Sequence, residues 1–449
     1  MKSFNGRLLK SFIWIIGVGF LTIAVISIHE LVLKPPVKFQ PIVQVEKSAQ
    51  ILDKVILAPQ HVPTVQKNVT TVKITNPPIQ EINVTTKKTT PLPGQHFGFL
   101  KVHKAASTTT QAIFLRYGWR RKLTFMLPPE YNSFGYPNII SINESLTQYN
   151  ILPPPAGKQF DILCHHVVFG ERAWDSYLPS DTLFSGTVRE PFSLFKSTLN
   201  YFNPRSVARA QEKNASDPIG TFLRNPQLYD GRNVRYVFTN NRLAFEYGVE
   251  PDIIIKRDLQ AFDKYLHNVL DKRFAVVILA ELYDESLIML KRKLGWELND
   301  VLYVTKNVRS VSKADRYNMS EVHKPLHREY AIFDYLLYEF FEQRLRRQIE
   351  EAGDGFHHEV GNFINVRKYV ENFCHTTPKN IMAVKVQKTD WNEEFEITRD
   401  DCDIMHKGEI QFTQMIRKEQ YGTATWTGPG RKPPVIVKSK PKQAGAAKR

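Results

Sequence analysis

The residues best suited to chemistry lie in the run FLKVHKAASTTTQAIFLRYGW, residues 99–119. It passes from an apolar strand pattern, through a turn of small and hydroxyl residues, into a helical pattern. Backbone N–H groups at the start of that helix then face whatever lies above the strand end, a geometry that binds anions. Lys104 opens the turn with a point charge, and Ser107, Thr108 and Thr109 carry hydroxyl donors beside the compact Ala105 and Ala106. Such a set suits a nucleotide-type oxyanion. The pattern G-x-x-x-x-G-K-[ST] is absent, because the lysine precedes the small residues instead of following them, which disfavours ATP hydrolysis. An ordinary helix N-cap remains the plain alternative for this segment, since Ser and Thr are common there for reasons unrelated to ligands.

A second anion element is written in SGTVREPFSLFKSTLNYF, residues 185–202. Arg189 ends a strand pattern, Pro191 starts a helix, and Ser197 follows the arginine by eight residues. Histidines stand near both strand ends, His103 just before Lys104 and His166 just after FDILC, with His165 beside it. An imidazole with an ordinary pKa near ~6.5 can take a proton from a hydroxyl nucleophile at neutral pH. Of these, His166 is preferred as the base, with His103 the second candidate. A histidine satisfied by a local hydrogen bond is the structural alternative for either.

These side chains need a scaffold that brings strand ends together. FGFLKV from Phe97, FDILC (160–164), TLFSGTV (182–188) and FAVVILA (274–280) read as short buried strands. Phe192, Phe195, Leu199 and Phe202 recur with helical spacing, and a long helix is expected near 323–350, with Tyr330, Phe333, Leu337, Phe340 and Phe341 along one side. Strands alternating with helices predict an α/β fold with a parallel sheet flanked by helices. A polar, aromatic-interleaved stretch, Asn225, Arg232, Arg235, Tyr236, Asn240 and Asn241, is a candidate acceptor surface. Lys306, Arg309, Ser310 and Lys313 form a further basic cluster.

The rest of the chain divides by composition. Residues 1–10 form a short basic tail, and Ser11–Ile28 is an uncharged run that as a helix rises about 27 Å, close to the thickness of a thin bilayer. Flanking Lys2, Arg7 and Lys10 predict a type II transmembrane signal anchor over 11–33, favoured over a cleaved signal peptide because no A-x-A-like site follows. Residues 34–94, rich in Pro, Thr, Val and Lys, read as an extended stem, residues 95–422 as the catalytic domain, and 423–449 as a basic disordered tail. The net charge of +16 sits mostly outside the domain: subtracting the +14 carried by residues 1–94 and 431–449 leaves +2 for residues 95–430. A nucleic-acid-binding domain is therefore not expected. Five N-x-[ST] sequons, at Asn68, Asn83, Asn143, Asn214 and Asn318, agree with a secretory lumen. The three cysteines lack the spacing of a zinc site; a Cys374–Cys402 bridge and three free thiols both stay open.

With these residues in view, the sequence resembles the PAPS-dependent sulfotransferases, which pair a K-x-[GA]-[ST]-[ST] loop with an R-[DE]-P element and a serine eight residues beyond the arginine. Within them it is most similar to the galactose-3-O-sulfotransferases, a group that includes galactosylceramide sulfotransferase, over most of 97–420. HFGFLKVHKAASTT, FDILCHHVVF and LAELYDESLIMLKRKLGWELNDVLY carry the likeness. The resemblance implies the P-loop-like sulfotransferase fold and sulfuryl transfer from PAPS (3'-phosphoadenosine 5'-phosphosulfate) to the 3-hydroxyl of galactose in a glycolipid or glycan. It implies a Golgi membrane location with the domain lumenal, and it assigns Lys104 to Thr109 to the 5'-phosphosulfate and Arg189 and Ser197 to the 3'-phosphate. No metal is required, and a homodimer is left open. Val102, Glu190 and His165 depart from the common Thr, Asp and Asn without removing a needed charge. The alternatives are a uronic-acid or heparan-type 2-O-sulfotransferase, a metal-dependent Golgi glycosyltransferase using Asp401-Cys402-Asp403, and a non-catalytic glycan-binding protein. The near-neutral domain favours a neutral galactoside over a polyanion, and Asp401-Cys402-Asp403 reads as a surface turn.

Overall fold

Four short runs of apolar and β-branched residues pair side by side as strands β1 (Phe97–Leu100), β2 (Ile162–Leu163), β3 (Leu183–Val188) and β4 (Phe274–Leu279). All three pairings are parallel, in the order β2-β1-β3-β4. In the computed structural model the described residues are 96–129, 136–214, 216–231, 233–305, 316–378 and 380–422, and they belong to a compact unit, Lys88–Arg449. The 1–10 tail, the 11–33 anchor, all of the 34–94 stem with Asn68 and Asn83, Arg232, the basic cluster at 306–313 and the 423–449 tail lie outside them. Among the described residues no helix is long and apolar enough to cross a membrane.

Parallel strands need crossovers, and helices flanking the sheet supply them. The labelled helices are α1 (Ser107–Arg120), α2 (Pro191–Phe202), α3 (Arg242–Glu246), α4 (Tyr283–Leu294), α5 (Lys324–Tyr330), α6 (Ile332–Glu351) and α7 (Asp354–His375). An antiparallel hairpin, β5 (Ala383–Val386) with β6 (Phe395–Thr398), leads into α8 (Arg399–His406) and α9 (Glu409–Tyr421). Helix α1 packs its apolar side on β1, with Phe97 and Phe114 rings 4.8 Å apart and Tyr117 stacked on Trp296 at 3.8 Å. Gly118 permits this approach, since a Cβ there would lie 2.2 Å from the Ile162 side chain. A second, smaller core joins Phe192, Phe195 and Leu199 of α2 to Val207, Ile219 and Phe222.

Four expectations change. The strand expected over 160–164 shortens to Ile162–Leu163, and the single helix expected near 323–350 is two, α5 and α6, broken at Ala331. The break is held by Asn241, whose buried side-chain oxygen accepts from the N–H groups of Phe333 (2.9 Å) and Asp334 (3.2 Å), satisfying orphan donors at the start of α6. Asn241 is thus a helix cap and not part of an exposed acceptor surface. Asp401-Cys402-Asp403 lies in the first turns of α8, not in a surface turn: Asp401 forms a capping box with Thr398 and an ion pair with Arg120, and Cys402 is bonded to Cys374. Of the two cysteine arrangements, the bridge is the one observed, and Cys164 is free and buried.

Candidate active site

The strand order fixes where a site can form. From β1 the chain crosses to β2 on one side, then returns to β3 on the other, so the loops leaving β1 and β3 diverge at a topological switch point, where open α/β sheets bind ligands. The β1 loop is Lys101–Ala106 and the β3 end carries Arg189. These two elements touch: the Arg189 guanidinium donates to the Lys104 carbonyl at 3.2 Å.

Between β1 and α1 the backbone turns sharply, with Lys104 (φ 63°) and Ala106 (φ 58°) both left-handed. Side chains with a Cβ adopt this region at a cost of about 1–2 kcal/mol each, so the loop holds a conformation that its surroundings impose. Such turns direct successive N–H groups into one concavity. Ala106 caps α1 without any side-chain hydrogen bond. Helix α2 differs, because Glu190 at its N-cap accepts from the Ser193 N–H at 2.7 Å and pairs with Lys324.

Not every loop hydroxyl faces outward. Ser107 is buried, and its hydroxyl donates to the Val102 carbonyl at 2.6 Å, which closes the loop. Its hydroxyl is therefore engaged within the loop itself. Thr108 is exposed, Thr109 half-buried and Ala105 fully buried. The Lys104 ammonium lies 3.8 Å from the centroid of the Tyr201 ring at the end of α2. Ser197 is half-buried on the same helix.

Beside this loop the structure assembles a polar cluster that sequence reasoning saw only in part. His103 and His166 stack with ring centroids 3.8 Å apart and planes 15° from parallel. His166 Nδ1 lies 2.7 Å from the Lys101 carbonyl. A carbonyl only accepts, so in neutral His166 the proton sits on Nδ1 and Nε2 keeps its lone pair. His103 Nδ1 bonds to a carboxylate oxygen of Glu246, whose other oxygen accepts the His103 backbone N–H at 2.9 Å. Arg242, fully buried, donates to Glu246 at 2.6 Å and to the Ile142 carbonyl at 2.5 Å. Burial alone would push the Glu246 carboxyl up, but His103 and Arg242 hold it down at about 2, so it stays ionised. Burial lowers His103 below the usual histidine value against the opposing pull of Glu246, and lowers His166 further, with His103 itself adding to the shift.

His165 points away from this cluster. Its Nε2 lies 3.1 Å from the Thr413 hydroxyl of α9, and burial depresses it to about 3. The missed residues are Glu246 and Arg242. Their signal was present: α3 reads RLAFE, an Arg and a Glu four apart on either side of an apolar triplet, the spacing of a buried intrahelical pair. Of the described sequons, Asn143 donates to the Tyr236 hydroxyl at 2.6 Å, Asn214 accepts from the Ser216 N–H at 3.1 Å, and Asn318 is exposed with φ 46°. Among the described residues no group of three or more metal-ligating side chains is found.

A lysine and an arginine joined at a switch point, beside an N-terminus without a side-chain cap and a histidine held by an ionised carboxylate, describe an α/β protein suited to placing an anionic donor next to a base. The comparisons name the group. The chain belongs to the galactose-3-O-sulfotransferase family, whose description, "Galactose-3-O-sulfotransferase", matches residues 53–392. It is 32% identical over 258 residues to galactose-3-O-sulfotransferase 3 of Mus musculus, covering 57% of each chain. It is 32% identical over 264 residues to galactosylceramide sulfotransferase of Homo sapiens, covering 58% of this chain and 59% of that one. Galactose-3-O-sulfotransferase 2 of Homo sapiens matches at 28% over 254 residues, 56% of this chain and 60% of its own. The chain thus spans under two thirds of the length of these curated relatives. No solved structure matches it.

Proposed function

We propose that this protein transfers the sulfuryl group of PAPS to the 3-hydroxyl of a galactose in a glycolipid or glycan, using His103 as general base. The observation that carries this reading is the Glu246–His103 pair beside the Lys104 loop. Family membership and the galactose named in its relatives support the acceptor. In this reading the loop Lys104–Thr109 holds the 5'-phosphosulfate through Lys104 and the first-turn N–H groups of α1. Arg189 and Ser197 hold the 3'-phosphate, on the fold expected of a PAPS-dependent sulfotransferase. PAPS supplies an electron-poor sulfur and a leaving nucleotide.

His103 Nε2 takes the proton from O3 of galactose as the O3–S bond forms and the S–O bond to the 5'-phosphate breaks, releasing adenosine 3',5'-bisphosphate. Glu246 fixes the ring with Nδ1 protonated and stabilises the imidazolium that results, as an oriented acid does for a base histidine. His166 has only a carbonyl at its Nδ1, which stabilises a cation far less, and two stacked imidazolium ions would repel. The base therefore goes to His103 in preference to His166, which packs against it. The chemistry needs positioning and cationic hydrogen bonds, with no demand for a metal.

A Golgi lumenal, type II membrane protein is the setting that fits this activity. The charge-free run Ser11–Ile28, the sequons and the Cys374–Cys402 bridge support it, since such bridges persist in oxidising compartments. The decisive assay supplies purified protein with labelled PAPS, chelator and a panel of galactosides, uronic-acid polysaccharides and glucosides, with linkage analysis of the product. Sulfate on O3 of galactose is expected; sulfate only on a uronic acid would refute the acceptor assignment, and no transfer at all would refute the activity.

A further inference from the structure

The apolar stripe of α2 does not end as a core stripe should. Phe192, Phe195 and Leu199 are buried, yet Phe202, next on the same face, is 39% exposed, and its neighbour Tyr201 is 62% exposed. Large aromatic side chains left in water beside a polar site call for a reason. Phe202 packs on Phe238 at 4.7 Å between centroids, and Phe238 meets the His103 ring edge-to-face at 5.1 Å and 86°. Phe202 itself lies 6.4 Å from His103. Tyr201 stands edge-on to Phe202 at 4.8 Å and faces the Lys104 ammonium. A continuous aromatic wall therefore runs from the donor lysine to the base.

We propose that this wall is the acceptor subsite, with the apolar face of a galactosyl ring lying against Phe202 and with Phe238 supporting Phe202 from behind. The proposal rests on the sulfuryl-transfer reading above and deepens it. In galactose the axial 4-hydroxyl leaves the C–H bonds at C3, C4 and C5 on one face, an apolar patch that stacks on an aromatic ring. The 3-hydroxyl is equatorial, so a ring stacked on Phe202 projects O3 sideways along the wall, the direction in which His103 lies. A 4-epimer carries its 4-hydroxyl in the equatorial plane and lacks the contiguous patch. A uronate adds a carboxylate to a wall that is aromatic. Galactose is thereby selected by shape and polarity.

The test compares Phe202→Ala and Phe202→Tyr with the wild-type protein. For Phe202→Ala the KM for a methyl β-galactoside is expected to rise about tenfold, the size of one lost aromatic contact, with the KM for PAPS and the melting temperature unchanged. Phe202→Tyr should restore the acceptor KM. Saturation-transfer NMR, with adenosine 3',5'-bisphosphate bound, gives a readout independent of turnover: the galactoside C3, C4 and C5 protons should receive saturation in wild type and lose it in Phe202→Ala. An unchanged acceptor KM and an unchanged saturation pattern, in a protein that does sulfate galactose, overturn the subsite and leave the activity standing. A wild-type protein that neither binds nor sulfates galactosides overturns both.

Discussion

Two polar networks lie on opposite sides of the same two chain segments, 101–104 and 164–166, and they use nearly the same residue types. On one side His103 and His166 meet Glu246 and Arg242. On the other, Lys101 pairs with Glu409 at 2.5 Å and His165 with Thr413 at 3.1 Å, both partners one turn apart on α9. The difference is cover. Helix α9 closes the second network, leaving Lys101 1% exposed and His165 fully buried, whereas in the first Arg242, Glu246 and His166 are buried and the His103 ring is 11% exposed beside the Lys104 loop. In the proposed function the histidine beside the Lys104 loop is the base, while the histidine under α9 is structural.

His103→Ala should break the comparison most sharply. Turnover is expected to fall about 10²–10⁴-fold, the usual worth of a positioned base, while adenosine 3',5'-bisphosphate still binds by calorimetry. Near-normal turnover would return the role to His166. Glu246→Gln comes next, at about 10²-fold in kcat with KM for PAPS held, because a neutral amide no longer stabilises the imidazolium or enforces its tautomer. Arg242 then loses its charged partner, so thermal melting must accompany the kinetics; a lost fold with unchanged kcat in the surviving protein would reduce Glu246 to a structural role.

The covered network should answer in stability instead. Glu409→Ala leaves the Lys101 ammonium buried without its carboxylate and is expected to cost about 2–3 kcal/mol, below the full cost of an orphaned buried charge because Glu409 is partly exposed. Thr413→Val removes the hydroxyl facing His165 and should cost about 1–2 kcal/mol. Chemical denaturation measures both, and kcat per folded molecule should stay near wild type. A large kcat loss in either would mean that α9 positions the donor loop, a link offered by the 3.4 Å contact of Thr108 with Glu409.

Strand ends, the Lys104 turn, Arg189 and the α2 stripe were legible in the sequence because each is local: a period, a proline, a spacing. His166 was preferred over His165, but the partners of each were not legible, since adjacent residues of one strand end differ only in which side of the sheet they face, and α9 arrives from more than 240 residues away. Glu246 was hidden for the same reason, 143 residues from the histidine it holds. The break at Ala331 escaped notice because its cause, the Asn241 cap, comes from another element. Phe202 is instructive: it recurs with the helical spacing of α2, yet it is 39% exposed, and that departure marks the wall beside His103.

At neutral pH the titrations of the two networks are silent, and lowering the pH should separate them. His103 sits below the usual ~6.5 because burial outweighs Glu246, so it is already neutral and competent at pH 7. Protonation disables it, and kcat/KM is expected to hold level down to below pH 6.5, then to fall tenfold per unit on a single acid limb. An acid limb above 6.5 would show that Glu246 outweighs burial or that another group titrates. His165 acts on stability. Its folded value is about 3 while the unfolded chain binds a proton near ~6.5, so the unfolded state takes up more protons in between and stability rises with pH. That contribution is complete above about pH 6.5 and is lost progressively as the pH falls toward 3. Denaturation midpoints should therefore decline over a window that extends well below the activity limb, and a Glu246→Gln variant should move the limb to lower pH without moving the His165 part of the stability decline. A limb that stays in place in Glu246→Gln would show that Glu246 does not set the proton affinity of His103.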